Sequence, residues 1–465
     1  MPPTKVNMTL NDTHLNRQLD LEEIGREMFE LVTELFPLCR SITGDGNRAT
    51  LRHLKRYIPL TLHEVPSGTK VFDWTVPLEW NVRDAFIKNA RGERMVDFRQ
   101  SNLHVVNYSI PIHQKMSLTE LKPHLVTLPE HPDWIPYRTT YYKPTWGFCL
   151  THRRFLELSE GEYEVCIDSS LEDGHLTYGE YYLSGEIPDE ILISTHICHP
   201  SLANDALSGI TVAAFLAKRI ASLPRRYSYR FLFIPATIGA ITWLCLNESK
   251  VSQIRHGLVL TGLGDTKPLS YKRSRQGEAE IDRVAVHVLQ QLERDANVLD
   301  FSPYGYDERQ FCSPGFNLPV GRLSRAIHGT FPEYHTSADN LAFVRPHSLA
   351  KSLSICLDIL WMLEQNRAYL NMNPKCEPQL GSRGLYRLTG GLSSDPELAQ
   401  LAVLWVLNLS DGDQTLLDIA ERSKLSFDLM LRAANALEEC GLLERRAHGQ
   451  NSGRAFASGP TKADE

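Results

Sequence analysis

Short apolar runs alternate with stretches of helical periodicity through the middle of the chain. The apolar runs cover residues 191–194, 231–234 and 257–261, and residues 205–223 repeat their apolar positions with the period of a helix. Compact apolar runs of this length are typical of strands buried on both faces of a parallel sheet. The alternation therefore predicts an α/β fold, in which helices cover both faces of a mixed, mostly parallel sheet.

The pattern changes before this segment. Residues 20–57 have the periodicity of two helices with a polar break between them, and residues 64–112 consist of short β-rich pieces between turns. We therefore expect an α/β core at residues 15–64 and 127–380, with a small β domain inserted at residues 65–126.

The C-terminal part, residues 385–450, has the element order of a winged helix. Three short helical patterns come first, at residues 398–407, 415–422 and 427–440, and a hairpin signal follows them. Winged helices commonly bind DNA, but ten acidic and only three basic residues lie between Asp395 and Glu444. Duplex affinity comes mostly from Lys and Arg contacts to phosphates. The sequence therefore favours a packing or dimerisation role, in a homo-oligomer, over nucleic-acid binding.

Composition narrows the classes of function. Among 465 residues, 49 are basic and 56 acidic, a net charge of 49 − 56 = −7 without long runs of one sign. Proteins that bind nucleic acid or acidic membranes usually carry a basic excess, so neither partner is expected. No apolar signal-peptide core is present near the first residue, and the longest uncharged run, residues 231–246, is too short to span a bilayer. Nine scattered cysteines without a CxxC pair favour a reducing, cytoplasmic location.

The segment after the first apolar run carries the most informative polar residues. His196, His199 and Asp205 lie between a predicted buried strand and a predicted helix, at the edge where open α/β sheets bind ligands. Imidazole and carboxylate groups suit a catalytic zinc, which needs three protein ligands and one open position. Two further segments offer Asp265 and His335, so the set could hold one or two zinc ions.

Each of these residues also has a structural interpretation. Asp205 and Asp265 could cap a helix or stabilise a turn, because Asp is common at both places. A histidine such as His335 is more often a hydrogen-bonded structural residue than a metal ligand. Spacing alone leaves both interpretations open.

Five strings occur along the chain in a fixed order. They are THICHPSLANDALSG, IPATIGAITWL, the segment from Leu263 through GDTKPLSYKRSRQGEAEID, GYDERQFCSPGFNLP and FPEYHTSADN. Together they resemble the zinc aminopeptidase-like family, whose members hold a co-catalytic pair of metal ions. More specifically, nearly the whole chain is similar to a bacterial subgroup with an inserted β domain and a C-terminal winged helix, often associated with polysaccharide or secondary-metabolite genes.

The resemblance implies an aminopeptidase-like fold and a set of metal ligands. His196 and Asp265 would bind one ion, His335 the other, and Asp205 would bridge the two. The family has His-x-Asp in its first motif, where the Asp supports the ligand histidine, whereas this chain has Cys198 at that place.

His199 compensates for that exchange or replaces His196 as the ligand, and the sequence leaves the choice open. Asp307 falls where the family has an Asp ahead of its last histidine motif and would support the site, unless it is a turn residue. We rank Cys198 as a thiol nucleophile below the metal interpretation, because adjacent strand side chains point apart.

A second departure concerns the catalytic base. Family members carry a glutamate pair after the strand that corresponds to residues 231–234, and the subgroup often keeps one, whereas this chain has Ala236. General-base assistance is worth about 10²–10⁴ in rate. Glu333 and Glu308 are the acids that could substitute, besides Asp307, and each is otherwise a solvated charge or an ion-pair partner.

Several residues are candidates for substrate binding. Arginine and lysine recognise carboxylates through charge-assisted hydrogen bonds. The candidates are Arg309, Lys272, Arg273 and Arg275, together with Tyr334. A plain surface role is the alternative for the cationic residues.

The sequence thus predicts zinc-dependent hydrolysis of an amide bond in a peptide or small molecule. The reaction would remove an N-terminal amino acid or deacylate a small metabolite or biosynthetic intermediate. The alternative is a catalytically degenerate scaffold that binds a metal or small ligand without turnover, motivated by Ala236. Transcriptional regulation through the winged helix is disfavoured by its acidic surplus.

Overall fold

The computed structural model describes residues 20–293, 295–327, 329–385 and 396–446. The chain divides into two units between Trp361 and Met362. Parts of the predicted domains, residues 15–19, 386–395 and 447–450, lie outside the described residues.

The first unit contains the helices and strands of the α/β core and of the smaller sheets. Its helices are α1 (Leu21–Leu35), α2 (Asp45–Leu54), α3 (Leu118–Leu121), α4 (His152–Leu156), α5 (Gly209–Ala221), α6 (Ile238–Leu246), α7 (Glu280–Leu292), α8 (Glu308–Phe311) and α9 (Pro346–Gln365), which runs across the boundary between the units. Its strands are β1 (Thr61–Pro66), β2 (Lys70–Val71), β3 (Trp74–Thr75), β4 (Glu79–Lys88), β5 (Arg94–Asp97), β6 (Ile112–Ser117), β7 (Leu125–Val126), β8 (Phe148–Cys149), β9 (Glu162–Glu172), β10 (His175–Leu183), β11 (Glu190–His196), β12 (Ser228–Ile234), β13 (Ile254–Leu260), β14 (Ser270–Lys272), β15 (Asn297–Leu299) and β16 (Val320–Ser324).

An eight-stranded sheet in the order β1-β10-β12-β11-β13-β16-β14-β15 forms the centre of this unit. The strands from β12 to β16 in this order pair in parallel, and antiparallel pairs lie on both sides of them. Every residue of β11 and β12 is buried, which explains why their sequences are apolar rather than alternating. The predicted fold class, a mixed and mostly parallel sheet with helices, is confirmed.

Helix α5 packs closely against the central strands. It begins at Gly209, where an added Cβ would lie 2.4 Å from the main-chain oxygen of Leu260 and 2.7 Å from Thr195 Oγ1. Glycine is therefore required by the close approach of the helix to strands β11 and β13. This approach fixes the position of the turn immediately before α5.

A second, four-stranded antiparallel sheet has the order β5-β4-β9-β6. Three of its strands come from the range 65–126 expected for the inserted β domain. Its longest strand, β9, lies outside that range, at Glu162–Glu172. Strands β2 and β3 form a separate hairpin, and β7 pairs with β8.

The second unit is a small α/β arrangement. It contains β17 (Ala368–Asn371), α10 (Pro396–Leu409), β18 (Asp411–Thr415), α11 (Leu416–Ser423), α12 (Phe427–Glu439) and β19 (Leu443–Arg445). Its sheet has the order β18-β17-β19. In the described parts of both units, every helix is too short or too polar to cross a lipid bilayer.

Candidate metal centre

His196, His199 and Asp205 meet at the carboxyl end of β11. His196 is the last residue of this strand, whose parallel neighbours β12 and β13 place its end at an edge where α/β sheets bind ligands. Asp205 lies in the irregular turn Ala203–Ser208 before α5, with non-helical backbone angles (φ −86°, ψ 87°). Ligand atoms from the three side chains all lie within 4.8 Å of one another. The structure therefore brings these three predicted residues together.

His335 approaches the same carboxylate from a distant segment. Its Nε2 lies 3.0 Å from Asp205 Oδ2, while His196 Nε2 lies 3.1 Å from Oδ1 and His199 Nε2 lies 3.9 Å from Oδ2. Asp205 is almost fully buried, whereas the His335 side chain is 28% exposed. Solvent therefore reaches the cluster on the side of His335.

Unpaired atoms in this cluster fit a cation. Asp205 Oδ2 and His335 Nε2 are both buried and lie 3.0 Å apart, and neither forms a hydrogen bond with any described residue. Buried polar atoms normally have hydrogen-bond partners, so two converging atoms without one are suited to bind a metal ion between them. Imidazole nitrogen and carboxylate oxygen are the ligands of catalytic zinc. The donor set therefore fits zinc.

The electrostatics of the cluster favour protonation states that bind metal. Burial alone would raise the pKa of Asp205, but the surrounding imidazole rings, His199 first, hold that pKa well below its usual range. Burial lowers the pKa of His199 well below its ordinary value, against the opposing effect of Asp205. An ionised carboxylate and a neutral imidazole are the forms that ligate metals.

The turn that carries Asp205 is held by Asp339. The buried carboxylate of Asp339 accepts hydrogen bonds from the main-chain N–H groups of Asn204 (2.6 Å) and Asp205 (2.8 Å). The predicted ligand Asp265 lies on the other side of this turn and accepts hydrogen bonds from the Asn204 side chain (2.7 Å) and from the N–H groups of Lys267 and Ala326. The His196–His199–Asp205 group does not include Asp265, whose contacts are those of a residue that holds loops together.

Neither of the structural interpretations of Asp205 is borne out by its contacts. Its side chain makes no capping hydrogen bond to α5 and points to the histidines instead.

Aromatic rings surround the histidines. Tyr306 stacks on His196 with ring centroids 5.3 Å apart, and Tyr334 stacks on His335 at 3.9 Å. The ring of Tyr137 meets those of His199 and His335 edge-on, at 5.3 and 5.1 Å. Burial raises the pKa of Tyr137 and of Tyr306 well above 10, so these phenols are neutral hydrogen-bond donors. The rings fix the orientation of the imidazoles.

The two neighbouring acids Asp307 and Glu308 differ in their surroundings. Glu308 accepts hydrogen bonds from Lys272 Nζ (2.9 Å) and from the main-chain N–H of Tyr306 (3.0 Å), and all three partners are buried. Asp307 is fully buried, and both of its carboxylate oxygens lack a hydrogen-bond partner. Burial raises the pKa of Asp307 to about 7, while the His196 ring opposes that rise. Glu308 and Lys272 therefore form a buried ion pair, whereas the Asp307 carboxylate has no hydrogen-bond partner among the described residues.

The remaining substrate and base candidates differ in their contacts. Arg273 donates to the main-chain oxygen of Gly277 and pairs with Glu278, and Arg275 donates to Asn317. Within the described residues, the Glu333 carboxylate forms no hydrogen bond or ion pair. Arg309 has a buried Nε atom without a hydrogen-bond partner.

Cys198 and Ala236, the two residues at which this chain departs from the motifs of the family it resembles, contact each other. Residue 236 follows Ile234, the register partner of His196, and its main-chain oxygen accepts from Cys198 Sγ at 3.7 Å. Burial raises the pKa of the Cys198 thiol, so the sulfur stays protonated and is a poor nucleophile.

Sequence reasoning missed four residues of this centre. Asp339, Tyr137 and Tyr306 are described above, and the fourth is Arg40, whose buried Nε donates to the main-chain oxygen of His199 at 2.8 Å. Asp339 and Tyr306 lie within the quoted motifs FPEYHTSADN and GYDERQFCSPGFNLP, which was the available signal. Tyr137 and Arg40 lie in other segments and carried no such signal.

Comparisons with known proteins give consistent results. A family model described as a domain of unknown function, DUF4910, matches residues 29–366, and a winged helix-turn-helix model matches residues 367–445. A Clostridium acetobutylicum protein is 54% identical over 91% of this chain and 97% of its own length. Its provisional name describes a polysaccharide biosynthesis protein with an aminopeptidase-like domain.

Two solved structures complete the comparison. The crystal structure of a Clostridium acetobutylicum protein, provisionally described as a peptidase, superimposes with a TM-score of 0.87 at 51% identity, covering 92% of this chain and 97% of that one. A zinc aminopeptidase from Bacillus subtilis gives a TM-score of 0.53 at 10% identity, covering 73% and 95% of the two chains, which is a likeness of fold.

Proposed function

We propose that this chain, which belongs to the DUF4910 family, is a zinc-dependent hydrolase of an amide bond. The proposal proceeds from its aminopeptidase-like domain. The observation that supports this most is the convergence of three histidines on the Asp205 carboxylate, with two buried atoms that lack hydrogen-bond partners. The name of the Clostridium relative refers to polysaccharide biosynthesis, which favours deacylation of a biosynthetic intermediate over removal of an amino acid from a peptide.

Each residue of the cluster has a role in this proposal. His196, His199 and Asp205 would hold the metal, with His335 as a further ligand. When bound, zinc supplies a Lewis acid for the amide carbonyl and makes water a stronger nucleophile at neutral pH. Asp307, whose charge interacts with the His196 ring, would support that ring as carboxylates beside ligand histidines do, and among the described residues no hydrogen bond joins the two.

A second candidate function is a scaffold that binds a metal ion or a small ligand without hydrolysis. Ala236 supports this candidate, because loss of a general base costs about 10²–10⁴ in rate. Glu308 does not compensate, since Lys272 and Tyr306 occupy its two oxygens. The two candidates share the metal centre and differ in turnover.

Metal content tests the centre that both candidates share. We expect one or two zinc ions per chain, by mass spectrometry of the purified protein, and loss of zinc in the Asp205→Ala and His335→Ala variants. His113→Ala, at an exposed histidine of β6, is the matched control and should keep the metal. Absence of zinc from the wild type, even after incubation with zinc, would contradict both the hydrolase and a metal-binding scaffold.

Turnover distinguishes the two candidates. A hydrolase should release the acyl group from N-acetylated amino sugars or aminoacyl amides, lose this activity with a chelator and regain it with zinc. The Ala236→Glu variant should be faster if the missing base limits the rate. Zinc binding without turnover, in both the wild type and this variant, would favour the scaffold.

A further inference from the structure

Aromatic side chains are exposed on two segments of the first unit, and one of them contacts the partly buried Phe316 of a third segment. Phe72 and Trp74 lie on the β2–β3 hairpin and are 51% and 46% exposed, and Tyr142 is 51% exposed. The Phe72 ring lies 5.9 Å from that of Phe316, and the Trp74 ring lies 5.5 Å from that of Tyr142. We call these four residues the aromatic rim. Contiguous exposed apolar surface of this kind marks binding sites in soluble proteins.

The hairpin holds Phe72 in an unfavourable backbone conformation. Val71 pairs with Trp74, so Phe72 and Asp73 form a two-residue tip, and the φ angle of Phe72 is 54°. Glycine is the usual residue at the first tip position when φ is positive there. A residue with a Cβ is disfavoured at such a position. The turn alone therefore does not explain a phenylalanine, whereas a role for its exposed ring does.

Tyr142 shows the same combination of features. Its φ angle is 62°, and its ring is half exposed. Bulky residues rarely adopt positive φ, and such outliers cluster at functional sites. Two independent segments of the rim thus hold a strained backbone and present an aromatic ring to solvent.

Two rim residues, Tyr142 and Phe316, follow along the chain from residues that contact the metal centre. Tyr137 packs against His199 and His335, and its hydroxyl lies 3.1 Å from that of Tyr141, the residue before Tyr142. On the other side, Tyr306 stacks on His196 and is followed by α8 and then by Phe316. Two of the four rim residues therefore lie on segments that border the centre, and the hairpin residues Phe72 and Trp74 contact these two.

Polar groups beside the rings indicate the chemistry of the occupant. Asn317, next to Phe316, accepts hydrogen bonds from Arg275 (2.8 Å) and, through its main-chain oxygen, from Gln276 (2.7 Å). Asp73 lies between Phe72 and Trp74. A pyranose ring has an apolar C–H face that packs on aromatic rings and an edge of hydroxyls that bind such planar polar groups. An aliphatic or aromatic side chain would instead need a closed apolar pocket, and these rings are half exposed to water.

We propose that the aromatic rim binds a pyranose ring of a carbohydrate that carries the amide bond cleaved at the metal centre. This inference rests on the proposed function for the identity of the reacting bond. Sugar binding itself depends on the rim and not on the metal. The substrate class is therefore an N-acylated amino sugar or an oligosaccharide that contains one.

Binding of N,N′,N″-triacetylchitotriose to metal-depleted protein tests the rim without turnover. Titration calorimetry should detect binding by the wild type, and Trp74→Ala and Phe72→Gly should each weaken it about tenfold, the scale of one aromatic contact. Phe72→Gly removes the ring and relieves the positive φ, so its melting temperature should equal or exceed that of the wild type. Lost binding in that variant is then not a result of misfolding.

Matched variants separate the rim from the rest of the molecule. Tyr182→Ala, at a tyrosine of β10 that is 44% exposed, should bind as the wild type does. The proposal is overturned if the wild type does not bind the trisaccharide or if both rim variants bind it normally. It is also overturned if the rim variants weaken binding only of the apolar dipeptide leucyl-phenylalanine amide. Sugar binding that depends on the rim, without amide hydrolysis in the zinc-loaded protein, would overturn the proposed function and leave the rim as a sugar site.

Discussion

The carboxylate of Asp205 reaches the histidines because Asp339 holds its main chain. Asp339 accepts hydrogen bonds from the N–H groups of Asn204 and Asp205, and the backbone leaves the helical conformation at Asp205 and Ala206. A regular helical start would carry the Asp205 side chain in a different direction. Asp339 is therefore a positioning residue for the proposed metal ligand.

Asp339→Asn tests this role. An amide has one acceptor oxygen, so one of the two N–H groups would face the amide NH₂ and lose its hydrogen bond. Changes to residues that support metal ligands typically reduce metal affinity about 10–100-fold. We expect a reduction of this size in a zinc competition titration, with the circular dichroism spectrum unchanged.

Asp300→Asn is the matched control, because the Asp300 side chain is 99% exposed. It should bind zinc as the wild type does. If Asp339→Asn also binds zinc with wild-type affinity, Asp339 does not position the ligand.

At the scale of residues, the sequence predicted the groups that follow a strand end and missed the groups that reach them from elsewhere. His196, His199 and Asp205 are close in sequence, so their meeting follows from one strand–turn–helix segment. Tyr137 and Arg40 reach the same place through contacts between distant segments, which no local pattern encodes. Asp265 follows a strand end as well, but hydrogen bonds to neighbouring loops use its carboxylate.

At the scale of elements, an ion pair joins α2 to the strands beside it. Arg48 of α2 forms two hydrogen bonds with Glu79 at the start of β4, and Glu79 also accepts from the main-chain N–H of His175 in β10. Burial alone would raise the pKa of Glu79, but these partners and Asn81 lower it from 4.5 to about 2. Because the folded-state pKa is below the unfolded one, the carboxylate stabilises the fold fully above about pH 4.5. This contribution is lost as the pH falls through about 2.

Glu79→Gln should therefore destabilise the protein in a pH-dependent way. Removing a buried hydrogen-bonded charge should lower the free energy of unfolding by about 1–3 kcal/mol at pH 7. Urea titrations should show that the difference from the wild type narrows as the pH falls below 4.5.

The exposed pair of Asp168 with Arg83 provides the control. Asp168→Asn should change the free energy of unfolding by less than about 1 kcal/mol, because surface ion pairs contribute little. If the loss in free energy of unfolding of Glu79→Gln does not depend on pH, its cause is packing and not charge.

Element prediction succeeded where the pattern was regular. The apolar runs at residues 191–194 and 231–234 fall within the strands β11 and β12, and the run at residues 257–261 exceeds β13 by one residue. The helix expected from residue 205 instead begins at Gly209, after the irregular turn. Hydrogen bonds that the turn donates to Asp339, a distant residue, stabilise it, so periodicity does not reveal it.

At the scale of the whole molecule, the second unit matches a winged helix-turn-helix family, yet its charges do not suit DNA. The sequence between Asp395 and Glu444 contains ten acidic and three basic residues. Arg432 pairs with Asp428 on α12, and Arg445 and Arg446 pair with Glu438 and Asp413. These three guanidinium groups are thus already paired with acids of the second unit.

We therefore expect the full-length protein not to bind duplex DNA, since phosphate contacts supply most of that affinity and weaken steeply with salt. Fluorescence anisotropy with a labelled duplex should show no binding at physiological salt. At low salt, any weak signal should be the same for unrelated sequences. Asp428→Ala and Glu438→Ala together would free Arg432 and Arg445, so this double variant should bind at low salt more strongly than the wild type. Tight, sequence-dependent binding by the wild type would show instead that another surface of the second unit reads DNA, despite the acidic surplus.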